Sequence, residues 1–300
     1  TAAGTRSGVV LGFNQRHSHA VVNVTDCTVT KPEIVNVFDR LRLFLDPILP
    51  PGKRGSVQVT WTDSGLDLLF DLPVRLDLPV REALATLMGQ TDASRIGWGP
   101  ERETIIEQRA PAMTFGGVPV TIPHGAFLQA TAESERVITD LVVDWIGGDD
   151  MPVAAIADLF SGVGTFTFPL AGRAGQVHGF DGDRAAIEAL GAAARRAGRT
   201  SVQAYVRDLF RDPLTPEELS GYDAIVMDPP RAGGRAQAAM IAQSTVPTVV
   251  MVSCNPATFA RDARTLVDGG YRLQHAVPVD QFLWSPEVEV VAVFKGRSTQ

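Results

Sequence analysis

Cys254 is the residue of this 300-residue chain best placed for covalent chemistry. It lies in Val252-Ser-Cys-Asn-Pro-Ala-Thr258, where an apolar run ends and Asn-Pro signals a helix start. A free cysteine is often no more than a small buried hydrophobe. Beside a helix start the reading changes, because the first helical N–H groups favour the thiolate, the nucleophilic form. Asp228 ends the preceding apolar run and is followed by Pro-Pro-Arg231, so both segments belong on the same rim of a sheet. Glu289 opens the last run, within Trp284-Ser-Pro-Glu-Val-Glu289. Alternation makes its side chain either a solvated edge charge or an inward-pointing base, and Glu287 points to the same face. If the last strand runs antiparallel to the others, its beginning lies beside Cys254.

A second constellation points to a bound nucleoside. Asp158-Leu-Phe-Ser-Gly-Val-Gly-Thr165 sits where a buried strand gives way to a helix, and Gly162 and Gly164 let the backbone bend tightly beside a ligand. A dinucleotide fingerprint needs a third glycine where Thr167 stands, which argues against a pyrophosphate and against a dehydrogenase. Asp181 closes the next strand, where a carboxylate can accept both hydroxyl hydrogens of a ribose. Asp208 ends the third strand, within reach of an adenine amino group. A lone Gly-x-Gly is often only a tight turn. Here the glycine loop, Asp181, Asp208 and Asp228 fall at the carboxyl ends of four successive strands, the rim where open α/β sheets bind ligands.

The elements that position these residues follow from the pattern. Strands are expected at Val153–Leu159, Gln176–Phe180, Val202–Val206, Ala224–Met227, Thr248–Val252, Arg272–Pro278 and Val288–Phe294. Helices alternate with them around 134–145, 168–171, 185–197, 236–242 and 257–269, the signature of an α/β sheet covered on both faces. Ahead of this, residues 1–126 read as a smaller α+β domain with a hairpin at 56–71 and a helix at 79–90. Residues 127–300 form the expected catalytic domain.

At these motifs the chain resembles the RNA 5-methyluridine methyltransferases, which act on uracil carbon 5 in ribosomal RNA and tRNA. The likeness covers nearly the whole chain and is strongest in Asp158–Thr165, Asp228-Pro-Pro-Arg-Ala-Gly233 and Ser253-Cys-Asn-Pro-Ala-Thr-Phe-Ala-Arg-Asp262. It implies a Rossmann-like seven-stranded sheet in the order 3-2-1-4-5-7-6 with strand 7 antiparallel. It implies S-adenosylmethionine as cofactor, held by Gln129, Phe160, Gly162, Gly164, Thr165, Asp181, Asp208 and Asp228. Cys254 would add to uracil carbon 6, and Glu289 would remove the carbon-5 proton from a base flipped out of its stack. Three positions depart from the family pattern: Thr165 and Asp208 stand where Asn is usual, and Glu287 replaces a His. A second carboxylate there would raise the pKa of one of the pair or alter the fit of the target.

The resemblance makes RNA the partner, with ribosomal RNA preferred to tRNA and no obligate protein partner. The net charge of -7 argues against a sequence-blind electrostatic RNA binder. Residues 1–126 carry 12 basic and 13 acidic side chains, against 15 and 21 in the remainder, so the front domain is the expected RNA-gripping part. Two cysteines and no long apolar run suit a cytoplasmic protein with no membrane span. Cys27 resembles the fourth ligand of a 4Fe-4S cluster in cluster-bearing relatives; either this chain has lost the cluster or the other three cysteines lie upstream of Thr1. Two other functions use the same features: methylation of another RNA base atom, which needs no thiol, and RNA binding without catalysis.

Overall fold

The computed structural model describes residues 1–15, 18–146, 153–285 and 287–296. The chain divides into two units, Thr1–Met113 and Thr114–Gln300. In the first unit, β1 (Ala2–Thr5), β2 (Gly8–Asn14), β3 (Val21–Asn23), β4 (Arg54–Thr62), β5 (Gly65–Asp71), β6 (Ala93–Trp98) and β7 (Glu103–Glu107) make one sheet in the order β3-β2-β1-β4-β5-β6-β7. It is accompanied by α1 (Pro32–Asn36), α2 (Phe38–Leu45) and α3 (Leu78–Gln90). The turn at 63–64 folds β4 back on β5, with Ser56 opposite Asp71 and Thr62 opposite Gly65. Asp77 caps α3 by accepting the Val80 N–H at 3.2 Å, and Pro79 sits in the first turn, where no donor is lost. Leu41 and Leu45 of α2 and Leu84 of α3 pack with Leu68, Phe70 and Ile96 of the sheet. Within this sheet Arg95 donates to both oxygens of Asp67 at 3.0 and 2.8 Å, a two-pronged geometry that offsets the cost of burying both charges.

The second unit carries the α/β sheet. The hairpin of β8 (Ala112–Phe115) and β9 (Val118–Thr121) is followed by α4 (Ala132–Ile146), β10 (Val153–Leu159), α5 (Thr167–Leu170), β11 (Ala174–Asp181) and α6 (Arg184–Arg196). Then come β12 (Val202–Val206), α7 (Pro216–Leu219), β13 (Ala224–Met227), α8 (Arg235–Ile241), β14 (Thr248–Ser253), α9 (Pro256–Asp268), β15 (Arg272–Val279) and β16 (Glu289–Lys295). The order is β12-β11-β10-β13-β14-β16-β15, which is 3-2-1-4-5-7-6 counted along this sheet. The strands from β10 to β14 are parallel to one another, and β16 is antiparallel to both of its neighbours.

Strand alternation divides the core in two. Ile156, Val226, Val250 and Val291 face α4 and α5, packing with Ile138, Val142 and Leu170. Their neighbours Ala157, Ile225, Met251 and Ala292 face α8 and α9, packing with Ile241 and Leu266. Successive residues thus line opposite faces, and both faces are apolar, as a helix-covered sheet requires.

The division falls at 113/114, within the first strand of the β8–β9 hairpin. Beyond it lies close packing at Gly116, whose φ is +53°. A Cβ there would lie 2.6 Å from the Pro169 nitrogen and 2.7 Å from the Phe168 carbonyl carbon, so the hairpin turn rests directly on the end of α5. Helix α7 lies outside the expected set; only its capping box, Thr215 with Glu218, marks it. Gly116→Ala should therefore destabilise the unit by about 2 kcal/mol or more, through the left-handed backbone and the clash. A urea or thermal unfolding curve checks this; a wild-type midpoint would contradict the packing described.

Candidate active site

The register between β14 and β16 builds the centre of the site. Ser253 lies opposite Val290 in the last pair of that ladder; Cys254 follows on one strand and Glu289 precedes on the other, near enough for the Glu289 charge to act on the thiol. Glu289 is only 3% exposed, and Gln281 Nε2 donates to its Oε2 at 2.5 Å. Burial pushes the Glu289 carboxyl up to about 7, with the Gln281 hydrogen bond pulling the other way. On the adjacent strand end, Asp228 accepts a hydrogen bond from Gln129 Nε2 at 3.1 Å. Burial first, then the charges of Glu289 and Asp158, hold Asp228 well above the usual carboxylate range.

Cys254 is half-buried in this acidic setting. Burial, followed by Glu289 and Asp228, raises its thiol above the ordinary value, against a smaller opposing pull from Arg231. The expected stabilisation of a thiolate by the helix start therefore does not dominate. Asn255 caps α9 by accepting the Ala257 N–H at 3.0 Å, so that helix-end donor is already taken. The Asn255 amide also donates to the Arg231 carbonyl at 3.1 Å, tying the Asp228-Pro-Pro-Arg231 loop to the loop that carries the thiol. Further along that loop the Gly234 N–H donates to the buried Asp262 at 2.8 Å.

Glu287 does not act on Glu289 as its position in the sequence suggested. It accepts from Arg231 Nη2 at 3.1 Å on the exposed side, and burial, not a second carboxylate, is what raises Glu289.

At the other end of the rim, Phe160, Gly162 and Gly164 all have left-handed φ values, +62°, +54° and +99°. The two glycines differ in what they face. A Cβ on Gly164 would come within 2.8 Å of the Phe168 ring, whereas one on Gly162 would meet nothing within 4 Å, so Gly162 borders open space. Asp181 accepts the Gly162 N–H at 2.9 Å and the Asp183 N–H at 2.7 Å, pinning the loop to the end of β11. Thr165 follows in the same turn, half-buried. Asp208 is exposed beyond β12, where it accepts the Phe210 N–H at 3.0 Å, and the Phe210 ring centre lies 5.4 Å from that of Phe160.

Three residues outside the expected set belong here. Asp158 is fully buried, accepts from Thr167 Oγ1 at 2.5 Å and has a second oxygen with no hydrogen-bond partner. Burial pushes it up to about 7. Ser161 Oγ is likewise buried without a partner. Gln281 completes the set. The position of Asp158 just before the glycine loop was a usable signal, whereas nothing in the sequence marks Gln281. Cys27 takes no part: its sulfur lies 3.1 Å from Thr30 Oγ1. Among the described residues no three His, Cys, Asp or Glu are grouped to hold a metal, so an iron–sulfur cluster finds no support. Among the same residues no helix is long and apolar enough to cross a membrane.

This seven-stranded mixed sheet is the fold of the S-adenosylmethionine-dependent methyltransferases. Over 98% of this chain and 74% of the other, it superposes with a TM-score of 0.74 and 24% identity on the Pyrococcus abyssi tRNA (uracil-54, C5)-methyltransferase, solved with S-adenosyl-L-homocysteine. A family model described as tRNA (uracil-5-)-methyltransferase matches residues 199–297. An uncharacterized RNA methyltransferase of Brucella suis is 44% identical over 299 residues, spanning 99% of this chain and 70% of that protein. The 23S rRNA (uracil(1939)-C(5))-methyltransferase RlmD of Chromohalobacter salexigens is 31% identical over 312 residues, 96% of this chain and 63% of that protein. The chain belongs to this family of S-adenosylmethionine-dependent RNA methyltransferases.

The buried acids give a stability prediction with a definite sign. A carboxyl whose folded pKa is raised contributes stability below its unfolded value, about 4, and loses it as pH rises through its folded value. For Asp158 and Glu289 that window ends near 7. The melting temperature of the protein alone should fall by several degrees from pH 5 to pH 8, and Asp158→Asn should flatten part of that fall. A pH-independent difference between the two proteins would contradict the assignment.

Proposed function

We propose that this chain methylates carbon 5 of a uridine in RNA, ribosomal RNA in preference to tRNA, through a covalent bond between Cys254 and uracil carbon 6. The observation that carries the reading is that the antiparallel β14–β16 ladder ends beside both Cys254 and a buried Glu289, whose charge, with that of Asp228, acts on the thiol. The relation to RlmD, a 23S rRNA enzyme, supports the preference for ribosomal RNA.

The residues present fit the cofactor. Gly162 borders open space, and buried acceptors on Asp158, Gln129 and Ser161 lack partners in a strongly acidic setting, which suits a cationic nucleoside. Phe160, Gly162, Gly164, Thr165, Asp181 and Asp208 would hold it, with Gln129 and Asp228 on the side of the thiol. When bound, S-adenosylmethionine supplies an electrophilic methyl group on a positively charged sulfur.

The chain's own residues supply the rest. Addition of the Cys254 thiolate to carbon 6 forms a C–S bond and drives the C5=C6 electron pair onto the carbonyl oxygen at carbon 4, which makes carbon 5 nucleophilic. After methyl transfer Glu289 takes the carbon-5 proton. The electrons of that C–H bond re-form C5=C6, the C–S bond breaks, and Cys254 leaves as thiolate. A carboxylate near 7 is a stronger base than an ordinary one and is still about half ionised at neutral pH. The amino-terminal unit, with Phe13 and Val22 exposed on β2 and β3, is the proposed RNA grip.

Two outcomes test this. Incubated with tritiated-methyl S-adenosylmethionine and unmodified total RNA, the wild type should yield label in 5-methyluridine, and Cys254→Ala should lose on the order of a thousandfold or more. Label in another nucleoside, or activity surviving in Cys254→Ala, would discard the mechanism. The pH profile of kcat/KM should rise through about 7 as Glu289 ionises, and Glu289→Gln should lose about 10²–10⁴-fold together with that limb. A limb retained in Glu289→Gln would assign it to another group.

A further inference from the structure

The loop between β15 and β16 carries an apolar tip that the chemistry above does not use. Phe282, Leu283 and Trp284 are consecutive and exposed at 39%, 58% and 92%. Single exposed hydrophobes are ordinary, but three large ones in succession form a patch that calls for a partner. Trp284 also has a left-handed backbone, φ +68°, which a bulky side chain adopts only when the surroundings impose it. Both ends of the loop are held at the reaction site. Gln281, just before the tip, bonds the Glu289 carboxylate, and Glu287, just after it, pairs with Arg231 on the loop of Asp228. Inside the loop the Ser285 N–H donates to the Phe282 carbonyl at 3.0 Å and the Glu287 N–H to Ser285 Oγ at 3.0 Å, so the tip is a closed turn.

We propose that Phe282, Leu283 and Trp284 form a stacking wedge that takes the place of the target uridine in its RNA stack, with Trp284 lying against a neighbouring base. The inference rests on the uridine-methylating function proposed above. A base that must reach Cys254 leaves a gap in its strand, and exposed aromatic or aliphatic side chains fill such gaps. The tip continues directly from the site that would receive the flipped base. With a net charge of -7, the chain has little phosphate attraction to rely on, and stacking tolerates that where ion pairing does not. Trp284 is a positioning residue: it holds the RNA and touches no reacting atom.

The test uses the full chain and a short RNA that contains the target uridine with 2-aminopurine as its neighbour. Trp284→Ala should raise the RNA Kd by about tenfold and abolish the change in 2-aminopurine emission on binding. Trp284→Phe should restore most of both, and the Kd for S-adenosylmethionine, measured by calorimetry, should match wild type in each variant. Wild-type RNA affinity and emission in Trp284→Ala would overturn the wedge. So would a loss of cofactor affinity, which would make the loop a structural support, or a change confined to self-association in sedimentation, which would make the tip a contact between copies. If the wild type forms no 5-methyluridine on this RNA, the functional reading fails, and the binding and emission data still decide the wedge separately.

Discussion

The site depends on one topological fact: β16 runs antiparallel between β14 and β15. In a wholly parallel sheet the start of the last strand would lie at the far edge from the glycine loop. Reversal brings that start to the active rim, where Glu289 precedes and Cys254 follows the last pair of the ladder, Ser253 with Val290. The apolar residues Val291, Ala292, Val293 and Phe294 fix the register, because a slip of one residue would exchange the faces that pack on α4 and on α9. The packing of the core and the approach of Glu289 to Cys254 are therefore the same constraint.

Electrostatics follow from that placement. Asp158, Asp228 and Glu289 are crowded along the active rim, and burial, followed by the charges of Glu289 and Asp158, holds Asp228 well above the usual carboxylate range. Burial, followed by the charges of Glu289 and Asp228, likewise raises the Cys254 thiol. Such an arrangement costs stability in the protein alone. Buried acceptors without partners and acids that resist ionisation suit a positively charged ligand better than a neutral one. The site is thus organised for sulfonium chemistry at the expense of its own resting stability.

Much of this was legible in the sequence, for physical reasons. The parallel strands are short, mainly apolar runs with an Asp at or near their ends, so Val153–Leu159, Val202–Val206 and Ala224–Met227 could be read to the residue. The acids at their ends mark the rim. The short strands β1, β2 and β3 of the first unit carry no comparable signal, and the sequence suggested only a mixed α+β segment there. What escaped the sequence was set by contacts between distant residues. Glu287 pairs with Arg231 across 56 positions, Gln281 finds Glu289 through the reversal of β15 into β16, and Asn255 spends its side chain on the helix end that was expected to serve Cys254. From residue 114 onward the hairpin groups with the catalytic unit, where Gly116 fits against α5, a steric match that composition does not display.

The most direct measurement of the central claim is trapping with RNA in which the target uridine carries fluorine at carbon 5. Fluorine leaves no proton for Glu289 to take, so after Cys254 adds and the methyl group transfers, the bond from Cys254 to carbon 6 should persist. The account predicts a protein–RNA adduct that survives denaturing electrophoresis, requires S-adenosylmethionine and maps by mass spectrometry to Cys254. An adduct at another residue, or methylation of ordinary RNA with no adduct on the fluorinated one, would contradict it.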